Sequence, residues 1–175
     1  MRVILYMAIT ANGMIATEKD EVPHVSKTEW KHFVRMMDKT KNIVIGRKTF
    51  ELMLAAKEPL KGKVCVVTKN KTKFNALQLP KRIFFAKNPK LALRRMKMKG
   101  FDSVLLGGGS KLNASFLNEG LVDEIYLDVE PHLIGKGIPL FFPRQVQQEM
   151  ELLGTKMLSK NEIQLHYRVK KPGQN

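Results

Sequence analysis

The stretch that most limits what this chain can fold into runs from Val104 to Pro131. Val104 to Leu106 is an apolar run of the length of a buried strand. Gly107, Gly108 and Gly109 follow without a break. Ser110 then stands where it can cap a helix reaching about Glu119, with Gly120 suited to its C-cap. Glycine has no Cβ, so three in a row let the backbone come within hydrogen-bonding range of a ligand. A helix N-terminus behind them adds unpaired N–H groups and the positive end of a dipole. Strand, triple glycine and helix together make a site for a phosphate, such as that of a nucleotide cofactor. The plain alternative is a flexible turn between strand and helix.

The rest of the chain reads as alternating β and α elements that give way to antiparallel strands. Val3 to Thr10 is expected as a central strand, followed by a loop over residues 11–25 containing Asn12-Gly13, Asp20 and Pro23. Ser26 opens a helix to about Asp38, and Asn42 to Ile45 is a second strand ending at Gly46. A helix is expected over Lys48 to Ala56, strands over Val64 to Thr68 and Arg82 to Ala86, a helix from Pro89 to Gly100, and a fifth strand over Ser103 to Leu106. From Asp123 the period changes to two. Ile125, Leu127 and Val129 alternate with Tyr126, Asp128 and Glu130, and Ile163, Leu165, Tyr167 and Val169 alternate with Gln164, His166 and Arg168. Met150 to Leu158 is a further strand, turning at Lys160-Asn161. The expected fold is α/β: one mixed sheet, mostly parallel with antiparallel C-terminal strands, and helices on both faces. Residues 1–170 are expected to form one domain and 171–175 a disordered tail.

A chain of 175 residues with 43% hydrophobic side chains can bury a real core, and no apolar run approaches a membrane span. Met1 to Thr10 lacks the cleavage site of a signal peptide and reads better as a first strand. Cys65, alone among valines, excludes an internal disulfide, and the cytoplasm is the expected compartment. Asn113-Ala114-Ser115 is therefore a chance glycosylation triplet. His24, His32, His132 and His166 have no metal-ligand spacing, so no metal site is expected. The net charge of +15 would attract nucleic acid or a polyanionic small molecule. Its densest cluster, Lys90, Arg94, Arg95, Lys97 and Lys99, suits a solvated helix face. Aromatic residues, at 7%, are not interleaved with basic ones as a base-stacking surface would require.

Four other positions can carry chemistry. Ile45-Gly46-Arg47-Lys48-Thr49 is a second strand–glycine–helix junction, where Arg47 can clamp a phosphate and Thr49 can bond one. It is not a Walker loop, because the upstream glycine is missing. Thr68 and Lys69 end another strand with a hydroxyl and a cation. Glu29 completes a capping box with Ser26, or turns a carboxylate from the first helical turn into a ligand pocket. Asp128 lies on the polar face of its strand, and the alternation points it to solvent; a cavity is the other option.

With these residues in view, the chain resembles the dihydrofolate reductase superfamily. Within it, the chain is most similar to stand-alone relatives of the reductase domain of the riboflavin-biosynthesis deaminase–reductase. Residues 7–16, the Gly46-Arg47-Lys48-Thr49 turn, Leu106 to Ser110, and residues 120–125 followed by Pro131 to Gly137 carry the resemblance. It implies an NADPH-dependent reductase transferring a hydride to a heterocycle, and a homodimer. By position, Ala8, Ile15, Gly46, Arg47, Thr49, Thr68, Lys69, Gly107, Gly108, Gly109 and Ser110 would hold the cofactor. Asn12, Gly13, Phe33 and Pro131 would border the substrate. Glu29 falls where folate reductases keep a pterin-binding carboxylate, and it and Asp128 would serve catalysis. The Gly-Arg-Lys-Thr turn is closer to folate reductases, whereas Leu-Val-Asp-Glu and Gly-Lys-Gly are closer to the riboflavin branch, and no deaminase domain is expected. The first substrate reading is a phosphoribosylaminopyrimidine, as for a 5-amino-6-(5-phosphoribosylamino)uracil reductase, and the second a dihydropterin, as for dihydrofolate reductase. A reading of another class keeps the fold as a basic nucleic-acid-binding module.

Overall fold

Short apolar runs closed by glycine or a polar residue become the strands of an eight-stranded sheet. A computed structural model describes residues 1–57, 60–74, 77–142 and 146–171. The strands are β1 (Arg2–Thr10), β2 (Met14–Thr17), β3 (Asn42–Gly46), β4 (Lys63–Val67), β5 (Ile83–Ala86), β6 (Ser103–Leu106), β7 (Glu124–Glu130), β8 (Gly137–Pro139), β9 (Met150–Met157) and β10 (Ile163–Val169). The helices are α1 (Lys27–Thr40), α2 (Arg47–Ala55), α3 (Pro89–Met98) and α4 (Ser110–Asn118). The main sheet has the order β5-β4-β3-β6-β1-β7-β10-β9. All neighbours from β5 to β7 are parallel; β10 runs antiparallel to both β7 and β9.

Alternation along β1 divides the core. Val3, Leu5 and Ile9 pack with Ala92 and Met96 of α3 and Leu112 and Phe116 of α4. Ile4 and Tyr6 face the opposite layer, with Phe33 and Met37 of α1 and Phe50 of α2. Helices thus cover both faces, because a central parallel sheet is apolar on both sides. Cys65 is fully buried in β4, and burial pushes its thiol up to about 12, so it acts as a small apolar side chain.

The loop expected over residues 11–25 contains a strand. β2 pairs antiparallel with β8 in a separate two-stranded sheet, which folds the segment after β1 against the segment after β7. Ser110 is not the cap of α4. Gly109 holds the N-cap position, and the Ser110 hydroxyl donates to the Pro139 carbonyl at 2.6 Å. Glu119 is the C-cap, with Gly120 one residue beyond at φ +65°. Asn113 of the glycosylation triplet is buried and donates to the Leu140 carbonyl. Of the expected tail, Lys171 pairs with Asp123, and residues 172–175 lie outside the described residues.

Candidate active site

The carboxyl ends of β4, β3, β6, β1 and β7 form one edge, and the two glycine junctions meet on it. The Gly46 N–H donates to the Gly108 carbonyl at 2.7 Å, and the Gly107 N–H to the Val44 carbonyl at 3.0 Å. The contact requires glycine. Gly108 has φ +76°, and a Cβ at Gly107 would sit 2.8 Å from Cδ1 of the buried Ile43. The Gly108–Gly109 peptide is cis. A Cβ at Gly109 would lie 3.4 Å from the Thr49 hydroxyl, so Thr49 and the triple glycine share one small space.

Helices α2 and α4 therefore begin next to one another. Gly46 and Gly109 are their N-caps, and neither can supply a side-chain acceptor. The first-turn N–H groups of two helices face the same edge without a side-chain cap, an arrangement suited to an anion. Arg47, the first residue of α2, is half-buried and donates through Nη1 to both carboxylate oxygens of Glu51, at 3.0 and 2.8 Å. Beyond β4, Thr68 bonds its own turn, accepting from the Asn70 N–H at 3.2 Å, and its N–H donates to the Ala86 carbonyl. Lys69 follows on that edge. The expected phosphate residues are thus brought to one line, with the Ser110 hydroxyl already occupied by Pro139.

On the α1 side of the sheet the same edge turns acidic. Glu29 occupies the third position of α1. Its N–H donates to the Ser26 hydroxyl at 3.0 Å, which is half of the capping box, while its carboxyl is buried. Asp128 is the correction to the strand alternation: its exposure is 0%. The Tyr6 hydroxyl donates to Asp128 Oδ2, and Gln164 Nε2 donates to Oδ1 at 2.7 Å. Glu130, two residues on, and Glu162, just before β10, are buried as well, each with one carboxyl oxygen lacking a hydrogen-bond partner among the described residues.

Burial governs the protonation of this group. It pushes Glu29 up to about 8, with Asp128, Glu130 and Glu162 adding like-charge repulsion. Glu130 rises to about 7 through burial and the nearby Glu162. Burial raises Asp128 too, against the bonds from Tyr6 and Gln164 that favour its charged form. The Tyr6 phenol is pushed well above its ordinary value by burial and the Asp128 charge. Near neutrality the cluster therefore holds protons that it can give up, which suits proton donation or an N–H-rich ligand.

The other expected site residues separate. Ala8 lies opposite Asp128 in the β1–β7 pairing, and it and Ile15 are buried. Asn12 ties turns together: Nδ2 donates to the Ile134 carbonyl at 2.8 Å, and Oδ1 accepts from the Thr10 hydroxyl at 2.7 Å. Gly13 has φ +79° with open space around it. Phe33 packs in the core against Tyr6, with ring centroids 5.7 Å apart, and Pro131 is exposed just past β7. Sequence reasoning missed Tyr6, Glu130, Glu162 and Gln164. Only Glu130 had a local signal, since residues two apart on a strand share a face.

Residues 1–164 match the family model described as the RibD C-terminal domain. YwjB, an uncharacterized protein of Bacillus subtilis (strain 168), is 27% identical over 174 residues, covering 95% of this chain and 97% of YwjB. Among solved structures, a protein from Shewanella sp. PV-4 assigned to riboflavin biosynthesis superposes with a TM-score of 0.77 at 22% identity, covering 98% of this chain and all of the other. The diaminohydroxyphosphoribosylaminopyrimidine deaminase/5-amino-6-(5-phosphoribosylamino)uracil reductase of Thermotoga maritima superposes with a TM-score of 0.73 at 19% identity. That match covers 97% of this chain and 56% of the larger one. The last two likenesses establish a shared fold.

Proposed function

The chain belongs to the RibD C-terminal domain family, and from that premise we propose that it is an NADPH-dependent reductase of a nitrogen heterocycle, with a ribosylaminopyrimidine phosphate as its first substrate. The observation that carries this reading is the Gly46–Gly108 hydrogen bond, which holds two glycine turns and two helix N-termini at one sheet edge. That cradle, whose turn admits no Cβ at Gly107 without striking Ile43 or at Gly108 without striking Met7, fits the pyrophosphate of a dinucleotide. Gly46, Thr49, Gly107, Gly108, Gly109 and the Ser110 backbone would hold it, while Arg47, Thr68 and Lys69 would receive the additional phosphate. Ala8 and Ile15 would line the ring end.

When bound, NADPH supplies a hydride. The chain's own part is positioning, exclusion of water and proton supply. Ala8 and Ile15, both buried and apolar, would keep water from the reacting face. Asp128, held by Tyr6 and Gln164 without exposed surface, acts through its neighbour: its charge strengthens the hold of the Glu29 carboxyl on its proton. Glu29, protonated near neutrality, donates the proton that accompanies hydride arrival.

A dihydropterin is the second reading. The burial of Glu29 among acidic neighbours favours it, because a donor-rich ring edge is better matched to that cluster than an anionic group is. NADPH oxidation should be followed with each substrate in parallel. Turnover of dihydrofolate without turnover of the pyrimidine would reverse the order. Lack of turnover with both, and no thermal stabilisation by NADPH, would remove the reductase reading.

A further inference from the structure

The charge of +15 is segregated along the chain. Residues 59–101 hold ten lysines and three arginines and not one aspartate or glutamate. The remaining residues, with eighteen basic and sixteen acidic side chains, come close to neutrality. The basic segment is also one place in the fold. It forms β4 and β5, the last two strands on one side of the sheet, and α3, which packs against them. Lys81 and Lys87, on either side of β5, and Lys90, Arg94 and Lys97 along α3 are exposed. Among the described residues of the segment, only Lys61 has an ion-pair partner, Asp38 at 3.4 Å.

Two ordinary explanations fall short. Charges on an edge strand keep other strands away, but α3 offers no strand edge. A solvated helix face mixes both signs, because opposite charges four residues apart stabilise a helix and like charges destabilise it. Helix α1 follows that rule, with Glu29 and Asp38 among its basic residues. Helix α3 breaks it: Lys90 and Arg94 are four apart, Lys97 is three further on, and no acid lies between them. The repulsion along this row opposes folding of the free chain, and a partner of opposite charge relieves it.

The array is held in place. Arg95 donates to the Phe85 carbonyl, and Lys99 lies over the Phe84 ring at 4.8 Å, so cations of α3 and its C-cap fasten the helix to β5. Charges fixed on one rigid face lose little freedom on binding. The extent of the face points to a polymer. Helix α3 alone spans about 15 Å, and Lys81 and Lys87 extend the basic surface along both ends of β5. Duplex DNA presents one charge per about 1.7 Å of its axis, a density that such a face can follow. The composition points to phosphates over bases. Lysine is a point charge, whereas base edges are read by the planar fork of arginine, and here Arg95 is committed to Phe85. Phe74, Phe84 and Phe85 pack in the two cores and leave no stacking platform.

We propose that the β5–α3 face binds the sugar-phosphate backbone of a nucleic acid without reading its sequence, as a second function of this chain. The proposal is independent of the reductase reading, since α3 contributes no residue to the glycine turns or the acidic cluster. Lys69, at the cofactor end of the basic segment, is left unaltered in its test.

Fluorescence anisotropy of the full chain with two labelled DNA duplexes, equal in length and unrelated in sequence, should give similar affinities. Both should fall more than about a hundredfold between about 50 and about 200 mM salt, as contact with about four phosphates requires. Lys90→Glu, Arg94→Glu and Lys97→Glu together should raise Kd about thirtyfold or more and flatten the slope of log K against log salt by about three. Lys31→Glu, Arg35→Glu and Lys39→Glu change the net charge equally. Those residues are exposed on α1, across the sheet from α3 and beyond the reach of screened charge, so together they should raise Kd less than about threefold. Absence of binding at the lower salt, equal losses in the two triple variants, or a tenfold preference for one duplex overturns the proposal. Circular dichroism checks that the variants fold. If either does not, acetylation of the wild-type lysines with and without duplex decides. Protection of Lys90, Lys97 and Lys99 without protection of Lys31 and Lys39 supports the surface, and any other pattern rejects it.

Discussion

The Gly46 N–H reaches the Gly108 carbonyl at 2.7 Å, so the end of β3 and the turn after β6 form one structural unit. Stability and cofactor binding should therefore fail together when that unit is disturbed. Gly108 has φ +76°, a left-handed conformation that costs an L-residue about 1–2 kcal/mol. Gly108→Ala should lower Tm by about 2–8 °C for a chain of this size. It should also abolish the Tm increase produced by NADPH, because the shifted turn no longer presents its backbone. Calorimetry with and without NADPH checks both. A variant retaining the full NADPH response would remove Gly108 from the cradle.

Arg47 should behave in the opposite way. Its pair with Glu51 joins side chains 38% and 29% exposed, one turn apart on α2. A pair of that kind contributes about 0.3–0.5 kcal/mol. Arg47→Ala should leave Tm almost unchanged yet narrow the ratio of NADPH to NADH affinity, since both cofactors share the pyrophosphate and only one has the extra phosphate. Titration calorimetry with both cofactors measures the ratio. An unchanged ratio refutes the role.

Tyr6 tests the acidic cluster. Its hydroxyl and Gln164 both donate to Asp128, a carboxyl with no exposure. Tyr6→Phe leaves a buried acceptor short of one donor, at a cost of about 1–3 kcal/mol. The lost bond favoured the charged carboxylate, so Asp128 should move still higher. The loss of stability should accordingly be greater near pH 8 than near about pH 3, where the carboxyl is largely protonated in both folded and unfolded chains. Urea unfolding at the two pH values provides the comparison. An equal loss at both would mean that Asp128 stays neutral throughout.

The parts of the site that were legible in the sequence are those built from adjacent residues. Val104 to Ser110 had to be strand, turn and helix because apolar residues, glycines and a polar helix start follow one another directly. Gly46-Arg47 was readable on the same grounds. That the two turns touch depends on β6 inserting between β3 and β1, which no local pattern encodes. Asp128 was read toward solvent because period-two alternation assumes that the second face of the strand is open. Here α1 packs over that face and β10 sets Gln164 opposite Asp128. Tyr6 gave no sign of its role, since a tyrosine in a central apolar strand reads as core. Nor did β2 and β8, strands of four and three residues that exist only because each finds the other. Asn12 shows the reverse: a residue placed by motif beside the substrate holds the Ile134 loop with its own amide.

The proton inventory of the cluster makes stability fall as pH rises. Glu29 has a folded value of about 8 and Glu130 of about 7, against an ordinary 4.5 for each. Both groups are raised, so between 4.5 and these values the folded chain binds protons that the unfolded chain has released. Unfolding free energy then decreases with increasing pH across that window. The contribution is complete below pH 4.5 and is lost progressively as pH passes about 7 for Glu130 and about 8 for Glu29. Glu29→Gln keeps the shape and the neutral state of the protonated acid. Its Tm should therefore fall less steeply than the wild type between pH 4.5 and 8, and should exceed the wild-type value above pH 8 by several degrees. Turnover should part from stability in this variant. If the Glu29 proton accompanies the hydride, kcat falls at every pH, and the wild-type loss of kcat above about pH 8 disappears from the profile. Differential scanning calorimetry and kcat profiles across the window check the two halves separately. A wild-type Tm that climbs from pH 4.5 to 8 would refute the buried-acid account, and unaltered turnover in Glu29→Gln would leave this side chain with its place at the start of α1 alone.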